Sequence, residues 1–205
     1  MLHDSHAHNV ALTGKNLRMS PEDAAVSLLR AAGLAGIAAP PIDVLYLAEE
    51  HVGLDVQEHA DLFAVPGAPP RESGARLSGL LFPEHRRIYV NAVEAKRSHG
   101  RKLFTVAHEL GHWHLHRGDG TAVHTRFCSE ADVGAAPARL KSTQQIEHEA
   151  NRFAAALLMP EPMVRSLAPA VQFNVRLLAQ RFDVSVPAMQ VRLEALNMLP
   201  DYMRR

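Results

Sequence analysis

The chain has 205 residues, 47% of them hydrophobic and 21% charged, enough for one substantial globular domain with at most a small appendage. Lys and Arg balance Asp and Glu to a net charge of zero, which excludes a bulk electrostatic drive toward nucleic acid or anionic membrane. The single cysteine, Cys128, excludes an internal disulfide framework. No apolar run approaches roughly 18 residues and no basic start precedes an apolar core, so a soluble cytoplasmic protein is expected.

Residues 1–19 are expected to be a flexible start; His3, His6 and His8 crowd there without the spacing of a stable metal site. Ser20-Pro21-Glu22-Asp23 opens a helix, with Ser as cap, Pro in the first turn and acids at the positive end of the dipole; Gly33 stops it. Pro40-Pro41 is read as the start of a second helix running to about His51, capped by Gly53, with a short strand over 54–57. A Pro- and Gly-rich loop covers 60–75. Two β-like runs, 76–82 and 87–90, flank Pro83-Glu84-His85-Arg86 and predict a hairpin. A helix over 98–116 follows, then a long loop or lid to 143, a helix from about 143 to Leu158 ended by Met159-Pro160, and a short helical piece over 163–167. Residues 175–196 read as helix, turn, helix, with Ser185 as cap and Pro187 in the first turn of the second helix.

The helix over 98–116 carries His108-Glu109-Leu110-Gly111-His112. A helix advances about 100° per residue, so positions i and i+4 lie on one face roughly 6 Å apart. Two imidazoles so placed can each bring a ring nitrogen to about 2.0–2.1 Å from one zinc ion. Glu109 then lies beside the metal, where its carboxylate can act as general base toward the attacking water. A catalytic zinc needs a third protein ligand. His116 is eight residues from His108, about 12 Å along a straight helix axis, and His114 points to another face. The third His of the longer metalloprotease motif would fall at Gly118, so the ligand must come from another helix. Glu147 and Glu149 stand near the start of the next helix, about 200° apart, so only one can face the metal. Glu147 shares a face with Ala150, Asn151 and Ala154 and is preferred; Glu149 stays open as the alternative. Asn151 would hold the outer nitrogen of a ligating His. Tyr89 and His124 are candidates to stabilise an oxyanion, while Cys128 is read as an ordinary lid residue and Trp113 as core.

These residues resemble a known family. His108-Glu109-Leu110-Gly111-His112, followed by Glu147-x-x-Ala150-Asn151-x-Phe153-Ala154-x-x-Leu157-Leu158-Met159-Pro160, looks like the ImmA/IrrE family of zinc metallopeptidases. Ile88-Tyr89-Val90-Asn91 and Lys102-Leu103-Phe104-Thr105-Val106-Ala107 match the same pattern, so the likeness spans roughly residues 21–160. It implies a zinc site with His108, His112 and Glu147 as ligands and Glu109 as base. It also implies a substrate, a DNA-binding repressor of the XRE helix-turn-helix type, whose cleavage relieves repression in stress response, mobile elements or toxin–antitoxin-like pairs. With Arg205 the last residue of the sequence, the C-terminal sensor domain of longer radiation-response members is not expected.

The expected fold is α+β: a small, mostly antiparallel sheet packed on a zinc-binding helix pair, with a helical, helix-turn-helix-like C-terminal extension. Its parts would be a flexible start (1–19), a metallopeptidase domain (20–165) and the extension (166–205). Residues 170–205 hold five Arg and three acids, a weak basic excess, so packing is favoured over DNA contact for the extension. The rival functions are a DNA- or regulator-binding protein with a structural zinc site, and an interaction protein that sequesters a regulator uncut.

Overall fold

The computed structural model describes residues 19–36, 39–116 and 138–199, with only the backbone described over 138–143. His3, His6, His8, His124 and Cys128 lie outside the described residues. Helix α1 (Pro21–Ala31) begins as expected, the Ser20 side chain accepting from the Asp23 amide at 3.1 Å. Its buried residues Pro21, Ala24, Ala25, Leu28 and Leu29 recur at helical spacing and face the core. The second helix starts later than the Pro-Pro pair suggests. Asp43 is its cap, accepting from the Tyr46 amide at 2.9 Å, and α2 (Val44–Tyr46) widens into a π-helical turn (Leu47–Val52) before Gly53 closes it at φ +75°.

Among the described residues the sheet has three strands in the order β1 (Asp55–His59), β3 (Arg87–Asn91), β2 (Gly79–Phe82). The expected hairpin is present. Strands β2 and β3 pair antiparallel, Gly79 opposite Val90 and Phe82 opposite Arg87, across a 3-10 turn that Arg86 ends in the left-handed region at φ 48°. Strand β1 pairs with β3 in parallel, from Asp55 with Arg87 to His59 with Asn91, so the sheet is mixed, with one pairing of each kind. Alternation along β3 sends Ile88 and Val90 into the main core and Arg87, Tyr89 and Asn91 to the other face. That other face is covered by the Pro- and Gly-rich segment, whose short 3-10 turn (Leu62–Ala64) packs Leu62 with Val65, Leu77 and Leu80.

Asn91 caps α3 (Ala92–Arg97), and Ser98 both ends it and caps α4 (His99–Leu115). From Leu103 to Trp113 every residue of α4 but Phe104 is buried, the mark of a helix enclosed on all sides. Its closest partner is α5 (Ala138–Leu158), which ends at Met159-Pro160 as the sequence predicts. A Cβ at Gly111 would meet the Ala150 Cα and O at 3.1 Å and the Phe153 ring at 3.2 Å, so the two helix backbones approach as only glycine allows.

The chain closes with α6 (Glu161–Ala170), α7 (Val175–Phe182) and α8 (Val186–Ala195). The α7–α8 turn runs through Asp183 in the left-handed region, and Ser185 accepts from the Ala188 amide at 3.2 Å. Leu178, Phe182, Met189 and Leu193 join the apolar cluster that also holds Leu28, Leu110 and Phe153. Arg192, buried in α8, donates from Nε to the Met159 carbonyl at 3.0 Å, tying the end of the chain to the end of α5.

Candidate metal centre

The i, i+4 spacing on α4 brings the His108 and His112 rings together, with their Nε2 atoms 2.9 Å apart. Helix α5 crosses α4 at Gly111 and sets Glu147 before both rings, Oε2 3.2 Å from His108 Nε2 and Oε1 3.4 Å from His112 Nε2. Donors at 2.0–2.1 Å around a tetrahedral ion sit about 3.3–3.4 Å from one another, close to these separations. One imidazole nitrogen from each His and one carboxylate oxygen therefore form a set that could hold a metal, all within 4.8 Å of one another.

The outer nitrogens are also held. His108 Nδ1 lies 2.9 Å from the Asn151 Oδ1, one helical turn beyond Glu147. An amide oxygen only accepts, so His108 donates from Nδ1, which leaves Nε2 as the nitrogen that faces Glu147 and could bind a metal. His112 Nδ1 meets His116 Nδ1 at 3.1 Å, and His116 Nε2 meets Glu149 Oε2 at 3.1 Å.

The electrostatics ask for positive charge at the centre of this group. Burial pushes the His112 imidazole down to about 4, with the Glu147 carboxylate only partly opposing it. Burial would also depress His108, but the hydrogen bond to Glu147 and the charges of Glu109 and Glu147 outweigh it and the net shift is upward. Burial would raise Glu147, yet hydrogen bonds from both histidines bring it down to about 2. A carboxylate, a second buried carboxylate nearby and two imidazoles whose inward nitrogens face them suit a dication, which would take the place of the inward protons.

Glu109, fully buried on α4, lies against β2 at Gly79. A Cβ at Gly79 would collide with Glu109 Oε1 and approach the Thr105 Cγ2 at 2.7 Å. This glycine therefore makes room for the carboxylate between helix and sheet. Ser78 just before it is held by its hydroxyl, which donates to Glu94 Oε2 at 2.6 Å, and Arg101 binds the same oxygen at 2.9 Å.

A family model described as IrrE N-terminal-like domain, of a peptidase family, matches residues 68–194. The chain belongs to this IrrE-like peptidase family. The matched span includes the site-bearing helices α4 and α5 and extends through most of α8. Among curated proteins no sequence matches the IrrE-like chain. Among solved structures it is similar in fold to a Mycobacterium tuberculosis transcriptional regulator, with a TM-score of 0.53 and 19% sequence identity. The likeness covers 84% of this chain and 47% of that one, so the chain spans about half the length of that protein.

Four of the residues singled out from the sequence, His108, His112, Glu147 and Asn151, meet at one point, with Glu109 beside them. Tyr89 does not join them. Alternation on β3 puts it on the face away from α4, its ring edge-on to Phe82 and its hydroxyl 3.3 Å from Arg87 Nη1. His124 lies outside the described residues. Gly79 and His116 were not read as parts of the site, and Glu149, kept open as the alternative third ligand, meets His116. Gly79 carries no sequence signal beyond a glycine at a strand start. His116 carries one, since it stands four residues after His112, where a neighbour on the same face is expected.

Proposed function

We propose that the IrrE-like chain is a zinc-dependent endopeptidase that cleaves a DNA-binding repressor in the cytoplasm. The observation that carries this reading is the convergence of His108, His112 and Glu147 with Glu109 buried alongside. Two imidazoles and a carboxylate are a donor set favoured by zinc over harder cations. Bound there, zinc would supply Lewis acidity toward the scissile carbonyl and its attacking water. Glu109 removes the proton from that water and returns it to the leaving amine. Among the described residues strand β2 is at the sheet edge beside Glu109, and an extended substrate can add to such an edge as a further strand, its amides satisfied by the backbone. A repressor substrate is supported by the sequence resemblance; the fold neighbour is itself a transcriptional regulator.

DNA contact through α8, the second helix of the pair, has less support. The exposed residues of α8 are Val186, Pro187, Val191, Glu194 and Ala195, none of them cationic, and its one arginine, Arg192, is turned inward. The test is to incubate purified protein with the regulator encoded beside it, with zinc or with chelator, alongside Glu109→Gln. The peptidase reading expects fragments only with zinc and the wild-type glutamate. A regulator left intact by every zinc-loaded preparation, with the activating signal supplied, would overturn it.

A further inference from the structure

Behind His112 lies a second set of side chains that the proposed reaction does not use. His112 Nε2 faces Glu147 and the His108 ring, so with a metal held there Nε2 would present its lone pair and the ring proton would sit on Nδ1. That nitrogen is 3.1 Å from His116 Nδ1. Two protonated nitrogens cannot bond one another, so His116 Nδ1 accepts. A neutral imidazole then carries its proton on Nε2, 3.1 Å from Glu149 Oε2, and the other Glu149 oxygen accepts from Gln145 Nε2 at 3.1 Å. Each link determines the direction of the next. His116 is buried with 3% of its surface exposed, and it stands one helical turn beyond His112 at the end of α4. The two metal-facing histidines are therefore supported differently: His108 leans on a neutral amide, His112 on a carboxylate acting through a second imidazole.

We propose that His116 and Glu149 are positioning residues, a relay that holds the His112 ring in its metal-binding tautomer and makes its Nε2 a stronger donor. This rests on the metal-centre reading above. Outer partners of metal-binding histidines are typically worth about 10- to 100-fold in metal affinity. The relay predicts a loss of that order, roughly 10- to 100-fold, for His116→Phe, which fills the space without an acceptor, and a smaller loss for Glu149→Gln. His116→Gln keeps an acceptor for His112 and a donor for Glu149, and should restore most of the affinity.

The experiment is competition for zinc between each protein and a chromophoric chelator, with circular dichroism of the chelated forms to check folding. Alongside it, long-range 1H–15N correlation of the zinc-loaded wild type reads the tautomers directly and needs no variant. Expected are a weakened His116→Phe, a rescued His116→Gln, and His116 protonated on Nε2 only. Equal zinc affinity in all variants, a His116→Gln as weak as His116→Phe, or a proton on His116 Nδ1 would overturn the relay alone. A wild type that takes up no zinc would overturn the metal-centre reading, and the relay with it.

Discussion

Glu109, fully buried, and Glu147, half-buried, both act on the His108 imidazole, and their surroundings give them different work. Glu147 points its two oxygens at His108 and His112 and stays ionised far below the ordinary carboxylate range. Glu109 is turned toward the sheet, against Gly79. Removing the general base while preserving shape should separate the roles: Glu109→Gln is expected to retain zinc and lose about 10²- to 10⁴-fold in kcat, read by cleavage rate against zinc content. Glu147→Gln should lose zinc itself, seen by metal analysis after dialysis, since an amide oxygen is a far weaker ligand than a carboxylate. Gly79→Ala tests the space beside the base. Its new methyl collides with Glu109 Oε1 and Thr105, so kcat should fall with zinc content preserved, at a stability cost of about 1–3 kcal/mol in urea unfolding.

At the scale of elements, the site depends on how closely two helices cross. His108 and His112 belong to α4 and Glu147 to α5, and the crossing is made over Gly111 against the backbone of Ala150. Backbone cannot swing aside as a flexible side chain can. Gly111→Val is therefore expected to push α5 away, destabilising the fold by about 1–3 kcal/mol and weakening zinc binding in the same variant, measured by urea titration and chelator competition. The hairpin has a comparable role on the opposite side, since β2 brings Gly79 to Glu109 while β3 buries Ile88 and Val90 beneath α4.

For the whole molecule, the C-terminal helices share one core with the site-bearing helices. Leu178, Phe182, Met189 and Leu193 lie in the same apolar cluster as Leu110 and Phe153, and Arg192 bonds to the residue that ends α5. The full chain should accordingly unfold in one transition, with Trp113 fluorescence and far-ultraviolet circular dichroism giving the same midpoint. Two separated midpoints would mean the helical extension folds apart from the rest. Because zinc would join α4 to α5, metal should also raise that midpoint: free zinc at about 1,000 times its Kd adds roughly 4 kcal/mol, and chelator should remove it.

Much of this was legible in the sequence because it is local. The i, i+4 histidines share a face by helical pitch alone, Ser20 and Ser185 cap the helices they precede, and alternation about Pro83-Glu84-His85-Arg86 announces the hairpin. Glu147 and Asn151 could be placed on one helical face, though not against a particular partner. What only the tertiary structure decided is long-range. The parallel pairing of β1 with β3 depends on a crossover that no local pattern encodes. The side of the sheet that α4 covers decided Tyr89, which alternation then carried to the far face. The choice between Glu147 and Glu149 came from the rotation of α5 about its crossing with α4: one carboxylate meets the two histidines, and the other, two residues on, meets the ring behind them. Helical pitch makes the two point apart; only packing determines which way each one points.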